Sequence, residues 1–503
     1  MTVFRTFPRA NQLVLPTIFV VSLAFVSGCS AAGVKANAQE TKPVPAAAAA
    51  NSAPATASAP APGSAYTVKR GDTPLTLART YLSQSTLMTV AELDAAIRDA
   101  NHLTKNATLK PGSTITIPTL EPQPVVEKTR PLPKDADIRA VYLTGTMAGS
   151  VNGMNIVKRW KQVGGNAVVF DIKDSDGSVN VPFDNPLAPK RRPAISNLPK
   201  YVRWLHSMDM HAIARIALFR DENIAVHHSE LAVHSHAHPD VPWRENGKLV
   251  WTDSSNPQVQ DYNIALAKMV AQSGVDEVQF DYVRFPAEGD QKDAVFHFQS
   301  LKNPDGTPMQ RKDVIANFLG RAHSELQPAG VLLSIDVFGV MAWQRQVDLA
   351  HTGQDIVAMA KNVDIVSPMI YPSHFFGMDG IASPGDAPEH FISESMARFQ
   401  KITADSGVTL RPWLQAFAWR TKTYSPEYIK IQVQASKSNG GDGFLFWNAR
   451  NDYAKPFAAM PDMMAASDKY LGKKLVKPEP ATPVKSASAS AVPMAPVAAS
   501  TKK

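Results

Sequence analysis

The chain has 503 residues, a single cysteine and a formal net charge of +7 at pH 7. Two arginines before residue 10 contribute +2, and the tail 472–503 contributes +5 through six lysines against Glu479, so the remainder is neutral overall. A neutral remainder argues against nucleic-acid binding, and one cysteine excludes a disulfide within the chain.

The N-terminus has the pattern of an export signal. Two arginines precede an apolar run over residues 13–26, and small residues follow up to Cys29. The run is too short for a comfortable membrane span and predicts a cleaved signal peptide over residues 1–28. Val-Ser-Gly-Cys resembles a bacterial lipobox, in which Cys29 carries a lipid; an ordinary signal peptide with a chance cysteine is the alternative. Because Ser30 follows, the resemblance implies a lipid anchor in the outer membrane, with the protein in the cell envelope on the periplasmic face.

Pro- and Ala-rich segments divide the rest of the chain. Their composition predicts disordered linkers and a disordered tail, at 29–65, 120–136 and 472–503. Between the two linkers lies a small module, 66–119, in which a strand ending at Gly71-Asp72 is followed by two helical patterns and a second strand. This βααβ order resembles a LysM module over residues 66–118. The resemblance implies binding of chains that contain N-acetylglucosamine, such as peptidoglycan.

Residues 137–471 alternate between strand and helix patterns eight times. The alternation favours an α/β fold, a (β/α)8 TIM barrel, because no glycine-rich dinucleotide loop follows an early strand; an open doubly wound sheet is the alternative. The predicted strands are 138–145, 166–174, 211–219, 277–285, 331–339, 364–372, 410–417 and 443–448.

Polar and aromatic residues collect near the carboxyl ends of these strands, where barrel enzymes place their chemistry. Carboxylates can transfer protons and stabilise an oxocarbenium ion, and aromatic rings stack on sugars, so the pattern favours a carbohydrate cleft. Strand alternation predicts that most of these side chains face the lumen. They are Asp171, Lys173, Arg215, Gln279, Asp281, Ser334, Asp336, Tyr371, Trp413, Gln415 and Trp447.

Several of these residues also have structural interpretations. Asp171 and Lys173 could equally form a buried pair, and Trp413 and Trp447 could equally fill the core. Asp281 could form a salt bridge with Arg284 that holds the strand end. The pair Asp281 and Asp336 favours function more strongly, because two like charges in one cleft separate their pKa values into an acid and a base.

Four motifs resemble those of glycoside-hydrolase-like barrels found in bacterial envelope proteins: Gln-Phe-Asp-Tyr-Val-Arg-Phe-Pro at 279–286, Phe-Asp-Ile-Lys-Asp at 170–174, Asp-Val-Phe-Gly at 336–339 and Ser-Pro-Met-Ile-Tyr-Pro at 367–372. The resemblance spans the barrel and implies that Asp281 acts as nucleophile or base and Asp336 as its acid/base partner. Val283 and Gln415 stand where better-known barrel glycosidases carry catalytic glutamates, so no borrowed mechanism fits residue by residue.

We therefore predict hydrolysis of a glycosidic bond in an envelope polysaccharide, with peptidoglycan favoured and no cofactor required. The side chains expected to hold substrate or orient the carboxylates are Asp171, Lys173, Arg215, Arg284, Tyr371, Trp413, Gln415 and Trp447. The alternative is a barrel that binds glycan without cleaving it.

The loop 227–238 contains five histidines but no carboxylate at a fixed ligand spacing, so no metal is predicted there. Metal-assisted deacetylation through this loop is a third possibility.

Overall fold

A computed structural model describes residues 63–118, 120 and 133–472 of the chain. The predicted signal peptide, the lipidation site at Cys29, and most of the linkers and tail lie outside these residues, so those predictions stay predictions. Among the described helices, none combines the length and the apolar content that crossing a bilayer requires.

The small module packs two helices against a two-stranded antiparallel sheet. Each helix begins with a capping box, made by Thr73 with Thr76 and by Thr89 with Glu92, which pairs N–H groups that a helix start otherwise leaves unbonded. The elements are β1 Ser64–Thr67, α1 Pro74–Tyr81, α2 Val90–Ala100 and β2 Thr114–Ile117, the βααβ order predicted from the sequence.

The larger unit is built around parallel strands. Its strands are β3 Ile138–Leu143, β4 Ala167–Lys173, β5 His211–Ala217, β6 His234–Ser235, β7 Glu277–Asp281, β8 Ala294–Val295, β9 Leu332–Phe338, β10 Ile365–Ile370, β11 Thr409–Leu410, β12 Trp413–Gln415 and β13 Gly443–Trp447. The parallel order β3-β4-β5-β7-β9-β10-β12-β13 closes on itself through hydrogen bonds between β13 and β3. β11 and β12 both pair with β10 and form one interrupted barrel strand, while β6 and β8 pair with each other outside the barrel.

The predicted (β/α)8 barrel is therefore confirmed. Every barrel strand begins within one residue of its predicted start and ends one to four residues before its predicted end. The largest difference is in β7, which stops at Asp281 because Tyr282 turns into the left-handed region at φ +52°.

Helices follow the strands and cover the outside of the barrel. Asn256 and Ser425 each accept a hydrogen bond from the first turn of a helix, and a proline follows each of them where it needs no N–H partner. The helices are α3 Gly145–Ala148, α4 Val151–Gln162, α5 Leu198–Ser207, α6 Glu222–His227, α7 Pro257–Gln272, α8 Arg311–Leu326, α9 Gln346–Thr352, α10 Ile356–Ala360, α11 Pro388–Thr403, α12 Pro426–Ser438, α13 Ala454–Ala465 and α14 Ser467–Tyr470.

Strand alternation divides the apolar residues between two cores. Val168 and Phe170 of β4 belong to the core under the helices, whereas Val169 belongs to the core inside the lumen. The lumen core contains Ile138, Ala140, Tyr142, Ala167, Val169, Ile213, Trp413 and Leu445. It fills the barrel below its carboxyl end.

Charged residues close the amino end of the barrel. Arg411 donates to Glu277 at 2.7 Å, both side chains being fully buried, and His211 Nε2 lies 3.2 Å from the same carboxylate. Burial opposes ionisation of Glu277, but the charge of Arg411 prevails and lowers the pKa of Glu277 to about 2. These side chains fill the amino end of the barrel, and the cleft lies at the opposite, carboxyl end.

Candidate active site

Asp281 is the last residue of β7, at the carboxyl end of the barrel. Its Oδ1 accepts a hydrogen bond of 2.5 Å from the N–H of Tyr282, and its Oδ2 accepts one of 2.6 Å from Arg215 Nη2. The N–H of Tyr282 reaches this carboxylate from a backbone with φ +52°, which a bulky residue rarely adopts. Strained backbone of this kind is typical of functional sites, and here it aims an N–H group at the carboxylate of Asp281.

Asp336 lies on β9, the strand next to β7. Its Oδ1 accepts a hydrogen bond of 2.7 Å from Trp413 Nε1, while its Oδ2 has no hydrogen-bond partner among the described residues. Burial, reinforced by the negative charge of Asp281, raises the pKa of Asp336 well above its ordinary value. Asp336 therefore holds a proton under conditions in which an ordinary aspartate has lost it.

Arg215 of β5 links the acidic residues. Its guanidinium contacts Asp171 at 2.5 Å, Asp281 at 2.6 Å and Asp336 at 3.8 Å. Asp171 also accepts a hydrogen bond of 2.5 Å from the hydroxyl of Tyr142. Burial raises the pKa of Asp171 to about 7 despite the opposing charge of Arg215. The predicted convergence of Asp171, Arg215, Asp281 and Asp336 is thus present in the structure.

Lys173 does not join this cluster, contrary to the lumen position predicted for it. The pairing of β4 with β5 shifts between Asp171 and Lys173, so that a bulge turns Lys173 away from the lumen. Its ammonium, fully buried under α7, donates to Asp221 at 2.9 Å and to Asn263 at 2.8 Å. Lys173 stabilises the layer between strands and helices.

Gln415 is also held by protein groups. Its Oε1 accepts from the N–H of Ser373 at 3.1 Å, and its Nε2 donates to Thr421 at 2.9 Å. The amide therefore ties the loops after β10 and β12 together. Its place in a substrate contact remains a prediction.

A cleft of about 210 Å³ opens above the carboxylates. Tyr371 and Trp447 form one wall, with ring centroids 5.7 Å apart and planes inclined by 30°. Trp413 also lines the cleft, although it is almost fully buried and its ring nitrogen is bonded to Asp336. Partly exposed aromatic faces beside paired carboxylates suit a sugar ring.

Arg284, three residues after Asp281, also lines the cleft. Its guanidinium packs against the rings of Phe338, Trp251 and Tyr282, at 4.4, 4.8 and 5.3 Å from the ring centres. Within the described part of the chain it forms no ion pair with Asp281, whose partner is Arg215. The alternative interpretation, an ion pair that locks the strand end, is therefore wrong.

Some cleft residues were missed in the sequence. Phe338, His374 and Phe376 line the cleft, and Tyr142 supports Asp171 from below. Alternation along β9 could have identified Phe338, which shares the parity of Asp336. His374 and Phe376 follow β10 at a strand end, but loop geometry decides whether such residues turn inward.

The histidine loop carries no metal-type cluster. Over residues 63–118, 120 and 133–472, no three His, Cys, Asp or Glu side chains converge as a metal site would require. His227 Nδ1 and His234 Nδ1 instead lie 2.8 Å and 3.3 Å from backbone carbonyl oxygens.

Comparison with known families agrees with this geometry. Residues 140–453 match the family model described as "Putative glycosyl hydrolase domain". The chain belongs to this family. Residues 66–118 match the LysM domain, so this glycosyl hydrolase family member carries a LysM domain before its barrel. Both family resemblances are confirmed.

Solved structures similar to this glycosyl hydrolase family member include three bacterial proteins. A hypothetical protein from Ruminiclostridium thermocellum is 33% identical, with 39% of this chain and 97% of that chain covered and a TM-score of 0.33. The PgaB (BpsB) glycoside hydrolase domain from Bordetella bronchiseptica is 15% identical, covering 66% and 99%, with a TM-score of 0.47. The Bacillus megaterium spore cortex-lytic enzyme SleL is 15% identical, covering 80% and 87%, with a TM-score of 0.39. The search of curated proteins returned no match.

Proposed function

We propose that the barrel hydrolyses a glycosidic bond in a cell-envelope polysaccharide, with Asp336 as the acid and Asp281 as the nucleophile or base. The observation that carries the proposal is the pair itself. Two carboxylates share one cleft, yet their surroundings differ: Asp281 is bonded to Arg215 and to a backbone N–H, whereas Asp336 is buried with one oxygen unbonded among the described residues. Such unequal surroundings are what acid/base catalysis requires.

The chemistry follows from these two environments. Asp336 gives its proton to the glycosidic oxygen as the bond to the anomeric carbon breaks, and Asp281, held by Arg215, either attacks that carbon or takes a proton from the attacking water. The oxygens of Asp281 and Asp336 that face Arg215 Nε lie 3.2 Å and 3.8 Å from it, which places them within about 7 Å of each other. A separation within this limit is compatible with Asp281 as nucleophile and with Asp281 as base.

Peptidoglycan is the substrate we propose within this class. The LysM domain supports it, because a glycan-binding domain joined to the barrel raises the local concentration of the same polymer at the cleft. The predicted lipid anchor at Cys29 would hold both domains in the outer membrane, facing the cell wall.

Release of new reducing ends tests the proposal. The full chain and its Asp281→Asn and Asp336→Asn variants are incubated with purified cell-wall sacculi and a panel of bacterial and plant glycans. We expect wild-type protein to release reducing ends from sacculi and each variant to lose at least about 100-fold in rate. The control is Asp405→Asn, an exposed carboxylate in the turn before β11, which should retain full activity.

A second candidate function is glycan binding without cleavage. It is favoured by the ion pair between Arg215 and Asp281, which occupies the carboxylate that must attack. A pure binder would release no reducing ends from any glycan of the panel, and its Asp281→Asn variant would change affinity alone. That outcome would replace the hydrolase proposal.

A further inference from the structure

The guanidinium of Arg284 is a buried charge that the proposed reaction does not use. The residue is 4% exposed, and its Nη1 donates a hydrogen bond of 3.1 Å to the carbonyl oxygen of Phe285. Arg284 forms no ion pair with any carboxylate of residues 63–118, 120 and 133–472. Glu245, which is also buried, and Asp281 act on Arg284 through space without forming an ion pair with it.

Aromatic rings offset part of the cost of this burial. Three ring faces lie within 5.3 Å of the guanidinium carbon, and such contacts favour a cation. Rings do not use the N–H donors, however, and a guanidinium has five. Burying a cation without a contacting anion is costly, and an anion bound beside the guanidinium would offset that cost.

The two arginines of the cleft differ in this respect. Arg215 contacts three carboxylates and has no charge to offer a ligand. Arg284 lines the same cleft beside Asp281, with its charge unmatched by a direct contact. The cleft therefore has a negative catalytic pair and, next to it, one available positive group.

We propose that Arg284 binds a free carboxylate on a sugar at the cleavage site, so that the barrel selects acidic glycans over neutral ones. A planar carboxylate matches the paired donors of a guanidinium. One unmatched guanidinium balances a single negative charge, and three carboxylates nearby would repel a doubly charged phosphate. The inference deepens the proposed function by naming the substrate class.

Two polymers offer this chemistry. A uronic acid polymer carries one carboxylate on each acidic sugar. A peptidoglycan strand from which the peptides have been removed carries a free lactyl carboxylate on each muramic acid, which an intact strand uses in an amide bond. Oligosaccharides of both kinds, each with a carboxyl-reduced counterpart, form the arms of the experiment.

Tryptophan fluorescence isolates binding in the barrel. All eight tryptophans follow residue 133, and the LysM domain contains none, so the signal comes from the barrel. Titrations use the full chain with Asp336→Asn, which prevents turnover while keeping the ion pair of Arg215 with Asp281. The probes are oligogalacturonate, peptide-free peptidoglycan oligosaccharide and their carboxyl-reduced forms.

We expect at least one acidic oligosaccharide to bind about 10- to 100-fold more tightly than its reduced form, the range of a buried charge-assisted hydrogen bond. Adding Arg284→Met should abolish that ratio, whereas the matched control Arg192→Met, an exposed arginine, should preserve it. Arg284→Met should still bind the carboxyl-reduced oligosaccharide with the affinity of the parent protein, which shows that its cleft is folded.

Equal affinity for acidic and reduced oligosaccharides, no binding of either acidic probe, or a ratio that survives Arg284→Met would overturn the inference. The acidic oligosaccharide that is preferred over its reduced form shows whether the carboxylate belongs to a uronic acid or to muramic acid. If the protein prefers the acidic oligosaccharide but wild-type protein cleaves neither form, the hydrolase proposal fails and this inference stands. If wild-type protein cleaves acidic and reduced glycans equally, the hydrolase proposal stands and this inference fails.

Discussion

At the scale of single residues, one hydrogen bond opposes the protonation of Asp336. Trp413 Nε1 donates to Asp336 Oδ1 at 2.7 Å, which stabilises the ionised form and opposes the effects of burial and of Asp281. The proposed acid works only while it is protonated. Activity should therefore fall as the pH rises through the pKa of Asp336.

The variant Trp413→Phe tests this dependence. Loss of the hydrogen bond removes a stabilisation of the carboxylate, so the pKa of Asp336 should rise further. The alkaline limb of the pH profile of kcat/KM should therefore move to higher pH, as measured on a soluble substrate. Trp447→Phe is the control, because Trp447 lines the cleft without bonding to Asp336; a downward or unmoved limb in Trp413→Phe would reject the assignment.

Residue patterns were sufficient to predict that the carboxylates converge, but they did not predict the position of Lys173. Strict alternation assigns Asp171 and Lys173 to one face, and it holds only where the ladder is regular. The bulge in β4 interrupts the alternation of side chains, and no residue type near position 172 indicates that bulge. The ring nitrogen of Trp413 was likewise unpredictable as a partner of Asp336, because the two residues are 77 positions apart.

At the scale of elements, the barrel closes where β13 meets β3. Gly443 begins β13 with φ +80°, and a Cβ atom there would lie 2.1 Å from the carbonyl oxygen of Ile138, which belongs to the backbone and cannot move aside. Glycine is therefore required at this position both by its conformation and by the close approach of β3.

Gly443→Ala should lower the free energy of unfolding by roughly 3 kcal/mol or more, since strain and a backbone clash act together. The matched control is Gly407→Ala. Gly407 also has a positive φ, of +71°, but a Cβ atom there meets nothing within 4 Å, so that variant should lose only about 1 kcal/mol. Urea denaturation of both variants measures the difference, and equal losses would show that closure at Gly443 tolerates a side chain.

At the scale of the whole molecule, the LysM domain rests on the barrel through a buried lysine. Lys200, in the first turn of α5, is 2% exposed and donates to the carbonyl oxygens of Leu82, at 2.8 Å, and Leu87. A cavity of about 510 Å³ lies beside this contact, lined by both domains. The contact orients the glycan-binding domain relative to the barrel.

Lys200→Met should loosen this contact. Loss of two hydrogen bonds worth about 1 kcal/mol each should raise amide hydrogen exchange in residues 82–88 by roughly tenfold or more. Exchange is read by mass spectrometry of the full chain. Lys158→Met, an exposed lysine on α4, serves as the control and should leave the segment unchanged; the same result for Lys200→Met would mean that the domains are held by other contacts.

The sequence by itself determined the order of domains and the eight strands of the barrel. Both depend on short-range patterns: the spacing of apolar residues in strands and helices, and breaks rich in proline and alanine. It also determined which strand ends bear carboxylates, because parallel strands bring their carboxyl ends to one edge whatever the details of packing.

Only the tertiary structure decided how those residues are connected. It paired Asp281 with Arg215 rather than with Arg284, turned Lys173 outward and left the charge of Arg284 without a contacting anion. These outcomes depend on distances between residues far apart in the chain and on the register of strand pairing. Local sequence does not encode such distances, because they arise only when the sheet closes.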